Sequence, residues 1–323
     1  MPSGSVPIVL IAGPTASGKS ALALAVAEES RGTVINADSM QVYRDLAILS
    51  ARPGEAEMAR VPHRLYGVLD ASEVCSAARW REMAEAEISA AAGEGRLPVL
   101  VGGTGLYFRA LLQGLAPIPE IPQDVRVAAR RLHREIGGAR FHSALAERDP
   151  AAAARLHPSD SQRLIRAYEV VTATGRTLGE WQRGGVGGSR RPAAAILLLP
   201  PRGPLYAGID ERFAGMLRQG ALEEVRALLV RGLAPDLPAM KAVGVPELAR
   251  HLRGEISLEA AQVLGQQASR NYAKRQMTWF RHQLPATPEL PVLRLAAQYS
   301  ESLLPEIFSF IRQFVLTAPV SSG

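Results

Sequence analysis

The chain has one cysteine, Cys75, among its 323 residues, which excludes an internal disulfide and a cysteine-built zinc site. It lacks long apolar runs: the longest, such as Ala193–Leu199 (AAAILLL), are far too short to span a bilayer. The opening residues MPSGSVP have neither the basic stretch nor the apolar core of a secretion signal. Together these absences lead to the expectation of a cytoplasmic protein with no membrane segment. Lysine is scarce too, with three residues beside 34 arginines. A lysine retained in so arginine-biased a chain marks a place that a compact ammonium fits and a broad guanidinium does not.

The 47% apolar and 21% charged content is that of a globular protein. A chain of this length allows one large domain with an insertion, or two domains. The net charge is +6, and its distribution is uneven. Arg126–Arg191 carries 13 arginines against six acidic residues, a local excess of 7 that covers the whole surplus. A second block, Gln266–Arg281 (QQASRNYAKRQMTWFR), has four basic residues and no acidic one. Solvated helix faces would explain basic residues alone. Basic blocks interleaved with Tyr272, Trp279 and Phe280 fit an RNA surface better, because arginines meet phosphates while aromatic rings accept unstacked bases.

One motif dominates. Gly13-Pro14-Thr15-Ala16-Ser17-Gly18-Lys19-Ser20 fits the pattern G-x4-G-K-[ST] between an apolar run, Val6–Ala12, and an Ala/Leu segment, Lys19–Ser30. A strand, a glycine-rich turn and a helix in that order cradle phosphates on backbone N–H groups and a helix N-terminus. Lys19 supplies charge and Ser20 a hydroxyl that can ligate Mg²⁺. The pattern leaves open whose phosphates are held.

Two further apolar runs end in the same way: Thr33–Asn36 at Ala37-Asp38-Ser39, and Arg96–Val101 at Gly102-Gly103-Thr104-Gly105, with a helix following through Leu112. Strands alternating with helices predict an α/β fold: a P-loop-type parallel sheet flanked by helices, with ligands at the carboxyl ends of the strands. The three strand ends should converge on one crevice. Asp38 there suits either of two roles, a metal-holding acid or a general base, and an Asp that only caps a helix is the plain alternative. Gln41 can pair with a base edge and Tyr43 can stack, which favours a base pocket. His63 and His157 have no ligand-spaced partners and read as structural.

Three prolines in Pro117–Pro122 predict a stiff departure from the core. Gln123–Trp181 reads as helical, Gly184–Pro192 as a flexible return, and Ala193–Leu199 as a strand rejoining the sheet. The expected layout is a P-loop catalytic core in two parts, residues 1–116 and 193–323, around an inserted all-helical domain at 117–192. Ile209–Leu229 and Leu258–Leu284 read as amphipathic helices, and Val315–Gly323 as a frayed tail.

The segments GPTASGKS (Gly13–Ser20), DSMQVY (Asp38–Tyr43), PHRL (Pro62–Leu65), VGGTGLYF (Val101–Phe108), RLHPSDSQRLIRAYEV (Arg155–Val170), ERF (Glu211–Phe213) and RNYAKRQMTWFR (Arg270–Arg281), in this order, resemble the tRNA dimethylallyltransferase (tRNA isopentenyltransferase) family. The likeness runs from about residue 8 to 284. It implies that the loop holds the diphosphate of dimethylallyl diphosphate, and that the acceptor is N6 of the adenosine 3′-adjacent to the anticodon of a tRNA. It further implies Asp38 as the base for the N6 proton, Thr104 against the flipped adenine, Thr15 at the diphosphate, and Arg212 with Mg²⁺ on Ser20 at the leaving group.

By the same likeness, Asp38, Ser39, Met40, Gln41 and Thr104 meet the tRNA in the crevice. Arg126, Gln162, Arg163, Leu164, Ile165 and Arg166 grip the anticodon stem-loop from the insertion, and Lys241, Lys274, Arg275 and Arg281 from the C-terminal part. A monomer is expected.

Two stretches depart from the family pattern: Ile48–Pro53 reads ILSARP where IGTAKP is usual, and Gly244-Val245-Pro246-Glu247 lacks an aromatic–basic pair after the glycine. A P-loop kinase with ATP in the loop would account for residues 8–30 but leaves DSMQVY and the basic C-terminal helix idle. A non-catalytic RNA-binding ATPase would bind tRNA and yield no prenylated product. A prenyltransferase acting on free adenylate would not need the basic insertion.

Overall fold

Six parallel strands form a single sheet in the order β3-β2-β4-β1-β5-β6. They are β1 (Ile8–Ala12), β2 (Gly32–Asn36), β3 (His63–Arg64), β4 (Leu97–Gly102), β5 (Ala193–Leu198) and β6 (Val292–Leu295). The computed structural model describes residues 6–184, 187–189 and 191–317. Every residue of β1 and β5 is buried, as expected of strands covered on both faces, whose sequences read as unbroken apolar runs. β1 lies between β4 and β5, with Leu10 opposite Leu100 on one side and Ala195 on the other. The chain leaves β1 toward β2 and β4 and later returns to β5 on the opposite flank. That reversal opens a crevice at the carboxyl end of β1.

The chain divides into two compact units, Met1–Arg109 with Arg190–Gly323, and Ala110–Ser189. The first holds the sheet and the helices α1 (Lys19–Glu29), α2 (Glu55–Met58), α3 (Ala77–Gly93) and most of α4 (Gly105–Gln113). It continues with α9 (Arg202–Arg218), α10 (Ala221–Val230), α11 (Val245–Leu252), α12 (Leu258–Gln283) and α13 (Leu304–Thr317). Val9, Ile11, Leu22, Val26, Ile196, Ile307 and Ile311 share one apolar core.

The second unit is helical among its described residues: α5 (Gln123–Ala146, broken at Gly137), α6 (Pro150–Ala153), α7 (Ser161–Thr174) and α8 (Leu178–Arg183). Phe141, Leu145, Leu164 and Ala167 are fully buried in its own core.

The predicted strands at 6–12, 33–36, 96–101 and 193–199 are β1, β2, β4 and β5, each within two residues at either end. Six of these strands and helices were not expected from sequence: β3, β6, α2, α3, α11 and α13. The tail expected at Val315–Gly323 is helical as far as Thr317, and 318–323 lie outside the described residues, as do 1–5 of the opening stretch. Of the return predicted at Gly184–Pro192, residues 185, 186 and 190 are likewise outside them. No helix among the described residues is long and apolar enough to cross a membrane.

Candidate active site

The loop after β1 is held in shape from behind. Gly18 caps α1 in a left-handed conformation (φ 85°) that a side chain would strain, and a Cβ there would stand 2.7 Å from Tyr299. Ala16 also takes a positive φ of 62°, rare for a residue with a side chain. Its carbonyl accepts a hydrogen bond from the Gln298 amide (3.3 Å), and the Ser17 carbonyl accepts one from the Tyr299 N–H (3.0 Å). The segment after β6 therefore braces the loop. Thr15, Ala16, Gly18, Lys19 and Ser20 line a cleft, whereas Gly13, Pro14 and Ser17 do not. Those three shape the loop; Ser17 is buried beneath it.

Lys19 donates to the Pro14 carbonyl (3.3 Å). Burial pulls its pKa down to about 8, with Asp38 opposing the shift and Arg212 adding to it. Arg212, on α9, donates to the Thr15 hydroxyl (3.4 Å), and burial lowers its pKa also. Two desolvated cations side by side, offset only in part by Asp38, are costly, and a bound polyanion relieves that cost.

Asp38 follows β2. Its N–H donates to the Asn36 side chain (2.8 Å), and one carboxylate oxygen accepts from the Met40 N–H (3.0 Å). The Ser39 N–H donates to the Thr104 hydroxyl (2.9 Å), so the turns after β2 and β4 are joined. Between them lies Gly103, where a Cβ would overlap the Gln276 amide and stand 3.5 Å from the second Asp38 oxygen. Only a residue without a side chain lets these groups close up.

The three strand ends do converge. Lys19, Ser20, Asp38, Ser39, Met40, Gln41, Arg212, Lys241, Tyr272 and Arg275 open on one cleft of about 910 Å³. Thr104 borders it through its bonds to Ser39. The Gly13–Ser20 loop and two cations at one side face a carboxylate and two hydroxyls at the other. Such a pairing can serve transfer from a phosphorylated donor to a nucleophile, with a carboxylate at hand to take a proton.

Three side chains differ from their sequence reading. Tyr43 does not stack in the cleft: it is fully buried, and its hydroxyl donates to the Glu73 carbonyl (3.2 Å) and accepts from the Cys75 N–H (3.3 Å). Gln41 lines the cleft but is nearly buried, its amide donating to the Ser50 and Ala51 carbonyls (3.0 and 2.9 Å). Leu164 faces the core of the helical unit, fully buried, so its side chain has no outward surface; Ile165 packs against the same cluster.

Gln162 and Arg163 are exposed and Arg126 and Arg166 half-buried, with Arg163 near Asp160 (3.3 Å) and Arg166 near Glu169 (3.6 Å). Lys241, Lys274, Arg275 and Arg281 are exposed. His63 is structural, its ring 2.8 Å from the Val61 carbonyl oxygen.

Sequence reasoning missed two residues. Glu224, on α10, accepts the N–H groups of Ala47, Ile48 and Leu49 (2.7, 2.8 and 2.9 Å) and so folds the 47–52 loop along the cleft. Gln276, on α12, joins both halves of the site. Nothing local marks either, because each acts across more than 170 residues. The two stretches that depart from the family pattern also meet: the methyls of Leu49 lie over Gly244, beside Phe213.

The IPP transferase family model matches residues 41–283. The tRNA dimethylallyltransferase of Rhodospirillum centenum is 60% identical over 283 residues, 87% of this chain and 90% of that protein. That of Paramagnetospirillum magneticum is 54% identical over 320 residues, 99% of this chain and all of its own length. Among solved structures, the full-length tRNA isopentenylpyrophosphate transferase of Bacillus halodurans superposes with a TM-score of 0.68 at 32% identity, covering 97% of both chains. A eukaryotic dimethylallyltransferase acting on tRNA gives 0.81 at 25% identity, covering 98% of this chain and 81% of that one.

Proposed function

The chain belongs to the IPP transferase family, and on that premise we propose that it moves the dimethylallyl group of dimethylallyl diphosphate to N6 of the adenosine 3′-adjacent to the anticodon in tRNAs. The observation that carries this reading is the single cleft where Lys19 and Arg212 face Asp38. An exocyclic amino group is a weak nucleophile, since its lone pair is delocalised into the purine ring. It needs a leaving group made stable and a base for its proton. The C–O bond to the diphosphate breaks as the N6–C bond forms. Loop N–H groups, Lys19, Arg212 and the Thr15 hydroxyl take up the charge of the departing diphosphate, and Asp38 accepts the N6 proton. Thr104 and Ser39 position the adenine, which must leave its stack to enter the cleft.

Mg²⁺ fits these surroundings: the Ser20 hydroxyl lines the cleft beside Lys19, and this hard cation takes few protein oxygens when substrate phosphates and waters supply the rest. Ser20 would hold it, and it would neutralise charge on the diphosphate. Arg126, Gln162, Arg163 and Arg166 of the helical unit, and Lys241, Lys274, Arg275 and Arg281, serve the anticodon stem-loop. The insertion is taken as 117–192 between core segments 1–116 and 193–323. A monomer working in the cytoplasm completes the reading.

The test is direct. Purified protein incubated with unmodified tRNA and dimethylallyl diphosphate should give N6-(dimethylallyl)adenosine in the nucleoside digest by mass spectrometry. Phosphoryl transfer from ATP with no prenylated nucleoside would overturn the reading in favour of a kinase.

A further inference from the structure

Gln276 is 5% exposed on the inward face of α12, and a buried amide needs partners for both its ends. Its oxygen accepts the Thr15 N–H of the phosphate loop (2.9 Å), and its NH₂ donates to the Gly103 carbonyl of the turn after β4 (2.9 Å). Thr15 is the residue whose hydroxyl meets Arg212, and Gly103 lies against the Asp38 carboxylate. One side chain therefore ties the leaving-group side of the cleft to the proton-accepting side.

Its neighbours on the same helix reinforce the arrangement. Tyr272, one turn earlier, lies with its hydroxyl next to Thr104 and Gln276, and burial pushes its pKa up. Trp279, three residues on, covers Gly105 so closely that a Cβ would overlap the indole. Positions 272, 276 and 279 lie on one helical face, while Lys274, Arg275, Thr278 and Arg281 are exposed.

From this geometry we infer that Gln276 is a positioning residue for the transfer step: it sets the separation of the phosphate loop from the Asp38–Thr104 turn. The inference rests on the function proposed above. Gln276 touches neither reacting atom in that scheme. It acts through Thr15 and Gly103, so its loss should appear in turnover more than in binding. A misplacement of about 1 Å between reacting groups can cost about 10²-fold in rate.

Gln276→Glu retains an acceptor for the Thr15 N–H, removes the donor to Gly103, and places a carboxylate near Asp38. Gln276→Met keeps the length and removes both bonds. For Gln276→Glu the expected result is a kcat lower by roughly 10- to 100-fold, with the KM for dimethylallyl diphosphate and the Kd for tRNA within about threefold of wild type. For Gln276→Met both kcat and the donor KM should worsen, because the Thr15 N–H is left without a partner.

Wild-type turnover in the same assay tests the proposed function; only the ratio of variant to wild type tests Gln276. A Gln276→Glu protein that melts with the wild type and keeps its kcat would overturn the inference. So would weakened tRNA binding at unchanged kcat, which would make Gln276 a tRNA contact. If Gln276→Met does not fold, Gln276→Glu decides alone, since it keeps the size and one of the two bonds.

Discussion

The two halves of the cleft are made by different means. On the side of the loop after β1 the chain folds on itself: eight consecutive residues, Gly13–Ser20, provide the turn, the amides, the lysine and the hydroxyl, and Arg212 adds a charge from a distant helix. On the side of Asp38 almost nothing is local. Asp38 is fixed by Asn36 and next to Gly103, Ser39 is bound to Thr104 from another strand, Gln41 is tied to the 50–51 carbonyls, and that loop is held by Glu224 from α10. A diphosphate is a compact charge that backbone groups can recognise. A nucleoside presents an edge and a face, and meeting both takes side chains from several elements.

The largest effect that separates the halves comes from Asp38→Asn. The change keeps the size and the acceptor for the Met40 N–H, and removes the ability to take a proton. Prenyl transfer should slow by roughly 10²–10⁴-fold, the usual worth of a general base, while both substrates still bind. Single-turnover kinetics across a Mg²⁺ titration check it. Rescue of the rate by added metal would assign Asp38 to the diphosphate side and erase the distinction.

How much of the site could be read from sequence follows the same division. The phosphate loop is contiguous and its strand–turn–helix context is written in adjacent residues, so its location was legible. What lay hidden was its bracing by Gln298 and Tyr299, nearly 300 residues away in sequence. In DSMQVY the residue types suggested a base pocket, yet Tyr43 is spent on the core because its hydroxyl meets backbone groups at 73 and 75. Residue type fixed what Tyr43 can do; packing decided what it does.

The same holds for the fold. Buried strands β1, β2, β4 and β5 announce themselves by apolar runs. β6 is a partly exposed edge strand of four residues, Val292–Leu295, that carries Arg294, and no such run marks it. α3 did carry a signal that sequence reasoning passed over: Ser76 at the cap, accepting the Arg79 N–H, then Trp80, Ala84, Ile88 and Ala91 on one buried stripe.

A smaller effect, in pH, belongs to the diphosphate side alone. The pKa of Lys19 is depressed to about 8 by burial, so the free protein loses this charge as pH rises through that value. A bound diphosphate favours the charged form and lifts the pKa again. Binding above pH 8 must then take up a proton, and affinity falls by up to about tenfold per pH unit until the raised pKa of the complex is reached. At saturating tRNA, the KM for dimethylallyl diphosphate should be level from pH 6.5 to about 7.5 and climb beyond 8. A KM that stays flat to pH 9.5 would mean that Lys19 is not the cation the donor meets.

The smallest effect tests the remote scaffolding on the other side. The carboxylate of Glu224 receives three backbone N–H groups, from Ala47, Ile48 and Leu49. In Glu224→Gln one oxygen becomes an NH₂, which cannot accept, so at least one N–H loses its partner. Hydrogen bonds to a charged acceptor contribute about 1.5–3 kcal/mol, but the loop is only half-buried and water replaces part of what is lost. A net cost of roughly 1 kcal/mol is expected, and with it a melting temperature lower by about 1–2 °C. The Ser50 and Ala51 carbonyls of this loop receive the Gln41 amide, so a loosened loop releases Gln41 from its place in the cleft. The KM for tRNA should therefore rise by about fivefold, the equivalent of 1 kcal/mol, while the KM for dimethylallyl diphosphate does not move. Steady-state titration of each substrate against saturating levels of the other separates the two constants. If both rise together, the 47–52 loop supports the whole cleft rather than one wall of it, and the two halves are mechanically one.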